Sequence, residues 1–317
     1  MKLSRLALFV CLTALPVQAA DPLELKKGDH IGIIGNTLAD RMQHDGWLEA
    51  YLHTRYPKHD LVIRNLGFSG DELTQRLRSA NFGSPDEWLT RVQANVVFAF
   101  FGYNESFAGA AGVEKFKKDL EAFIKHTRSQ KYDGQNPTRL VLFSPIANEN
   151  LKTANLPDGA ENNKRLALFS AAMAEVAKAN DVPFVDLFKP TQSLYAKAVE
   201  PLSINGIHLT GKGNELVAQE IDRALFAGEV DRPTATLEAV RKAIQDKNLH
   251  WFNRYRTTDG YSIYGGRANL AFVGGQTNRV VAQRELEILD AMTANRDKKV
   301  WATAMGLSLI HISEPTR

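Results

Sequence analysis

Ile33-Ile34-Gly35-Asn36-Thr37-Leu38-Ala39-Asp40 (IIGNTLAD) reads as the end of a buried strand, a tight turn and the start of a helix. A corner of this kind presents a side chain at the C-terminal rim of a sheet, and the residue standing there is Thr37. The role of the corner depends on the elements around it. Residues 30–35 (HIGIIG), 61–67, 95–101 (NVVFAFF), 139–144 and 182–186 read as strands. The third of these is apolar without alternation, the mark of a central strand covered on both faces. Between them lie helical stretches: 40–55, with Met42, Trp47, Leu48 and Leu52 near one face, then 112–128, 162–180 and 213–226. Another begins at FGSPDEW, where Ser84 is the N-cap, Pro85 the first helical residue and Glu87 the capping-box partner, and runs to about Gln93. Strands separated by helices pair in parallel through right-handed crossovers. The expected fold class is therefore α/β, a three-layer α/β/α sandwich around a central parallel sheet, over residues 21–228.

The two ends read differently from this body. Residues 1–20 carry Lys2 and Arg5, a short apolar run and small residues before Ala20, the pattern of a cleaved export signal. The expected location is periplasmic or extracellular. Cys11 is the only cysteine, so a chain starting near Asp21 has neither a disulfide nor a thiol nucleophile. Residues 307–317 (LSLIHISEPTR) fit no element before them and look like the in-frame translation of a sequencing-library adaptor. On that reading the natural chain runs on past Gly306 and His311 carries no function.

Residues 229–306 form a helical C-terminal extension, with surface helices expected over 236–245 and 281–295 around the polar, aromatic stretch WFNRYRTTDGYSIYGGR. That stretch is read as an appendage packed on the sandwich rather than a partner-binding arm. Without residues 1–20 and 307–317 the chain has 36 basic and 35 acidic residues, and no basic stripe argues for nucleic acid. Beyond the leader, no segment approaches the ~20 apolar residues that cross a bilayer.

Four loops carry the candidate chemistry: GNTL (35–38), NLGFSGD (65–71), GYNE (102–105) and NGIHLT (205–210). In an open parallel sheet the first three converge outside the carboxyl ends of the strands, and the fourth joins them on its way into the last helix. Ser69 reads as a turn residue, His44 and Asp45 as groups that cap or solvate the first helix, and Glu105 as a partner for loop backbone. The remaining histidines lack metal-ligand spacing.

In these four blocks the sequence resembles the SGNH (GDSL-like) hydrolases, over residues 28–228, as a divergent member of flavodoxin-like architecture. The resemblance implies a secreted esterase without a cofactor, acting on an acyl ester such as an acetyl group on a carbohydrate. It implies Thr37 as nucleophile, His208 as base and Asn205 as the residue orienting it. The oxyanion would be held by Thr37 N–H, Gly67 N–H and the Asn104 amide. Two catalytic positions depart from the family pattern: Thr37 stands where serine is usual and Asn205 where aspartate is usual. An amide can hold an imidazole but cannot stabilise an imidazolium. A catalytically impaired, ligand-binding module of a larger protein is thus the alternative to an active hydrolase. The chain also looks similar to the N-terminal regions of large secreted bacterial proteins that continue into a c-type haem domain. That likeness implies a C-terminal haem-binding domain outside this sequence, which itself contains no Cys-x-x-Cys-His.

Overall fold

The structure, a computed structural model, describes residues 23–257 and 260–307. The expected export signal, residues 1–20, and the expected adaptor-derived tail beyond Leu307 lie outside the described residues. The five strands expected from the sequence form one parallel sheet: β1 (His30–Gly35), β2 (Val62–Asn65), β3 (Val96–Phe100), β4 (Arg139–Phe143) and β5 (Phe184–Val185), in the order β2-β1-β3-β4-β5. The α/β/α sandwich is present as expected. The run that does not alternate explains itself in β3. Val96, Phe98 and Phe100 enter one core and Val97, Ala99 and Phe101 the other, so both faces are covered.

The first face packs α1 (Thr37–Asp45), α2 (Trp47–Arg55) and, further along the chain, α7 (Gly211–Leu225). The second packs α3 (Pro85–Arg91), α4 (Val113–Ser129) and α5 (Ala160–Ala179), while α6 (Phe188–Lys197) follows β5. Ser84 and Glu87 make the capping box expected for α3. The single helix expected over 40–55 is instead two helices. Gly46 takes a left-handed φ of 74°, its N–H closes on Met42 O, and the chain restarts as α2. The short helix α6 is not expected from the sequence; a proline at its third position hides it.

The C-terminal helices are α8 (Thr234–Arg256), α9 (Gly260–Ile263) and α10 (Asn278–Ala304). Of these, α8 corrects the expectation of a surface helix over 236–245, while α10 buries only Leu286 and Thr293 over 281–295, as expected of a surface helix. From α8, Leu237, Val240, Ala243 and Ile244 join the first core, and Trp251 and Tyr255 the second. The reason lies in β2, which pairs only with β1 and would otherwise leave its outer carbonyls bare. Trp301 Nε1 donates to Leu61 O (2.8 Å), Lys247 Nζ to Ile63 O (3.2 Å), Trp251 Nε1 to Asn65 O (2.7 Å) and Tyr255 O–H to Leu66 O (3.1 Å). The extension closes the edge of the sheet. Among the described residues no helix is long and apolar enough to cross a membrane.

Candidate active site

The strand order reverses between β1 and β3, and a cavity of about 300 Å³ opens at their carboxyl ends. Thr37 and His208 both line it, from parts of the chain far apart in sequence. Phe100, Phe101, Phe107, Ile146 and Ile207 make much of its wall.

Local structure places Thr37 at the first position of α1. Asn36 is the N-cap: its N–H is tied to Phe100 O of β3 (3.1 Å) and its Oδ1 accepts Leu38 N–H (3.2 Å). As the first helical residue, Thr37 has an N–H with no intrahelical acceptor. One helical turn on, Arg41 lines the same cavity, exposed and without a hydrogen bond or ion pair among the described residues.

His208 is positioned by a buried carboxylate that sequence reasoning missed. Glu149 accepts Leu202 N–H (3.0 Å), Ser203 N–H (2.7 Å) and the Ser203 hydroxyl (2.5 Å), and Ser203 Oγ in turn accepts Gly206 N–H (2.9 Å). Within this frame Asn205 folds back on His208. Its Oδ1 accepts the N–H groups of Ile207 (3.2 Å) and His208 (2.9 Å), which fixes the orientation of the amide. Nδ2 therefore faces His208 Nδ1 at 3.0 Å and donates to it. Nδ1 is the acceptor, so the neutral imidazole carries its proton on Nε2. Burial, with the Arg41 charge second, holds the His208 pKa below the ordinary histidine value. The ring is thus neutral near pH 7 and presents a donor. Among the described residues no hydrogen bond joins Thr37 to His208.

The other expected donors are engaged elsewhere. Gly67 N–H donates to Asn65 Oδ1 (2.8 Å), whose Nδ2 is bound to Ala39 O (2.6 Å). Asn104 Nδ2 donates to Asp71 O (3.2 Å). Neither Gly67 nor Asn104 lines the cavity. The need for glycine at 67 comes from α1 rather than from substrate: an added Cβ would sit 2.8 Å from Asp40 N and 3.0 Å from the Ala39 carbonyl carbon. Both neighbours are backbone and cannot turn aside. Gly67→Ala should lower stability by about 1–3 kcal/mol. Urea denaturation checks this, and an unchanged midpoint would contradict it.

The lesser expectations are also placed. Ser69 donates its hydroxyl to Asp40 (2.7 Å), so it serves the turn. Glu105 accepts Leu73 N–H and Gly102 N–H, both at 2.9 Å. His44 lies edge-on to Phe252, and Asp45 accepts Asn214 Nδ2 (2.6 Å), tying the end of α1 to α7. Ser144 lines the cavity, but its Oγ already accepts Leu187 and Phe188 N–H, at 2.8 and 3.2 Å.

Known proteins bear on this geometry. The model of the GDSL-like Lipase/Acylhydrolase family matches residues 34–216, more than half of the chain. GDSL esterase/lipase WDL1 of Oryza sativa subsp. japonica is 25% identical over 198 residues, 59% of this chain and 73% of that protein. Among solved structures, a catalytic mutant of Axe2, an acetylxylan esterase from Geobacillus stearothermophilus, superposes with a TM-score of 0.52 at 13% identity. It covers 67% of this chain and 100% of its own. A gut microbial diltiazem-metabolizing enzyme, BT4096, gives a TM-score of 0.51 at 20% identity over 67% of this chain, which spans half of that enzyme's length. At these identities the superpositions speak for the fold, and the family match carries the classification. The chain belongs to the GDSL-like lipase/acylhydrolase family of carboxylic ester hydrolases.

Proposed function

We propose that the protein is an exported hydrolase of small acyl esters, working slowly through a Thr37–His208–Asn205 variant of the family triad. The observation that carries this reading is the meeting of Thr37 and His208 in one aromatic-walled cavity at the switch point of the sheet. Thr37 Oγ1 attacks the acyl carbon and His208 Nε2 takes its proton. The Thr37 N–H, at the first position of α1, is the oxyanion donor on the cavity wall. Asn104 and Gly67 stand outside the lining, Asn104 Nδ2 bound to Asp71 O and Gly67 N–H to Asn65, so either would have to move to join it. An acetyl group on a carbohydrate is the proposed substrate; likeness in fold to the acetylxylan esterase supports it, and the leader-like residues 1–20 support export.

Asn205 limits the rate. To accept the Thr37 proton at Nε2, the imidazole must first move its own proton to Nδ1, against the Asn205 amide. The same contact favours the second reading, a ligand-binding module in which catalysis has been lost.

Position 37 separates the two. Threonine carries a second Cβ substituent that restricts χ1 and crowds the carbonyl. Thr37→Ser should raise kcat/KM for an aryl acetate by about tenfold, and Thr37→Ala should abolish it. Equal rates in wild type, Thr37→Ala and His208→Ala would instead favour the binding module.

A further inference from the structure

The cavity offers its ligand mostly donors. Asn36 Oδ1 is taken by Leu38 N–H, Ser144 Oγ by two backbone N–H groups, and Asn214 Nδ2 by Asp45. Among the described residues, what remains unpaired around the cavity is the Thr37 hydroxyl, His208 with its proton on Nε2, the Tyr103 O–H and the Arg41 guanidinium, against one free buried side-chain acceptor, Asn214 Oδ1. No acidic residue lines the cavity, and Arg41 is its one charged lining side chain. An ester is neutral and gains little from a guanidinium. A carboxylate accepts charge-assisted hydrogen bonds from it, each about twice as strong as a neutral one. Behind these donors the wall is aromatic and aliphatic, from Phe100, Phe101, Phe107 and Ile146.

We infer that this cavity binds a monocarboxylate with an apolar tail, the carboxylate held by Arg41, the Thr37 hydroxyl and His208 Nε2–H, the tail lying along the phenylalanines. The inference uses the site of the proposed hydrolase but none of its chemistry. A carboxylate is also what ester hydrolysis leaves in such a cavity, so the same donors that weaken His208 as a base retain the acid product. Arg41 is a specificity-determining residue in this account, and Asn205 a positioning residue that acts through the tautomer of His208.

Titration calorimetry on the full chain at pH 8 tests this with matched pairs of ligands. Hexanoate should bind at least ~10-fold more tightly than 1-hexanol, the carboxylate being the only difference. 3-Phenylpropanoate against 3-phenylpropanol repeats the comparison with an aryl tail and tells which tail the wall prefers. Arg41→Gln is exposed and leaves the core untouched. It should remove about tenfold of hexanoate affinity and leave hexanol unchanged. Asn205→Asp makes Nε2 an acceptor and should weaken hexanoate further while raising any esterase rate. Equal affinity for hexanoate and hexanol, no hexanoate binding at all, or no loss in Arg41→Gln would overturn the inference. Hydrolysis plays no part in the titration. Failure to bind hexanoate would leave the esterase reading standing, and absence of esterase activity would leave this one standing.

Discussion

Asn205→Asp should raise kcat/KM for an aryl acetate by ~10²- to 10⁴-fold. The reverse substitution in a Ser-His-Asp protease costs ~10⁴, largely by imposing the wrong tautomer. Here the wrong tautomer is visible in the hydrogen bonds. Asn205 Oδ1 is spent on two backbone N–H groups, so only Nδ2 can face the ring. A carboxylate would keep one oxygen on those N–H groups and turn the other toward Nδ1. The proton then sits on Nδ1, Nε2 is free to accept from Thr37, and the imidazolium formed in the reaction is stabilised. The pH profile should move with the rate. In the wild type, burial and then Arg41 hold the His208 pKa below 6.5, so the base stays neutral, and any activity persists, as the pH falls past that value. The carboxylate in Asn205→Asp favours the protonated ring and raises that pKa. Its activity should therefore be lost at a higher pH on the acid side. A variant no faster than wild type, with its acid limb unmoved, would exclude His208 as the base.

The largest effect on stability should come from Lys247. Its side chain is fully buried in α8, yet its ammonium pairs with Glu49 of α2 and donates to Ile63 O on the edge strand at 3.2 Å. Glu49 is also buried, with Asn248 Nδ2 on its other oxygen at 2.7 Å. Lys247→Ala would leave that carboxylate uncompensated and the Ile63 carbonyl with one partner fewer. A loss of about 3–5 kcal/mol is expected in chemical denaturation. The double change Lys247→Met with Glu49→Leu removes both charges and should recover most of it, since a buried pair is often replaceable by apolar groups of similar size. Equal losses in the single and double variants would show that packing, not charge, holds the extension to the sheet.

Much of this is legible in the sequence. β3 announces its two-sided burial by an apolar run without alternation, and Ser84-Pro85-x-Glu87 announces α3 by its own chemistry. Gly46 escapes notice because the apolar positions on either side of it share one helical phase; only the left-handed φ shows the break. The role of the extension is not legible. A lysine, two tryptophans and a tyrosine, spread over 247–301, read as surface until the edge carbonyls of residues 61–66 are seen to need donors. At the site, Thr37, Asn205 and His208 stand out in short motifs. Arg41 could have been found by counting one helical turn from Thr37. Glu149 could not, because nothing local links it to the turn it braces.

The tautomer of His208 is the point on which the site turns, and it can be read directly. Nitrogen-15 NMR of the histidine-labelled protein at pH 8, with His208 assigned through His208→Gln, separates protonated from unprotonated ring nitrogens. The Asn205 contact predicts the proton on Nε2, with Nδ1 bare. A proton found on Nδ1 would contradict it: His208 would then be a ready general base, and the donor-lined, carboxylate-holding cavity would lose its foundation.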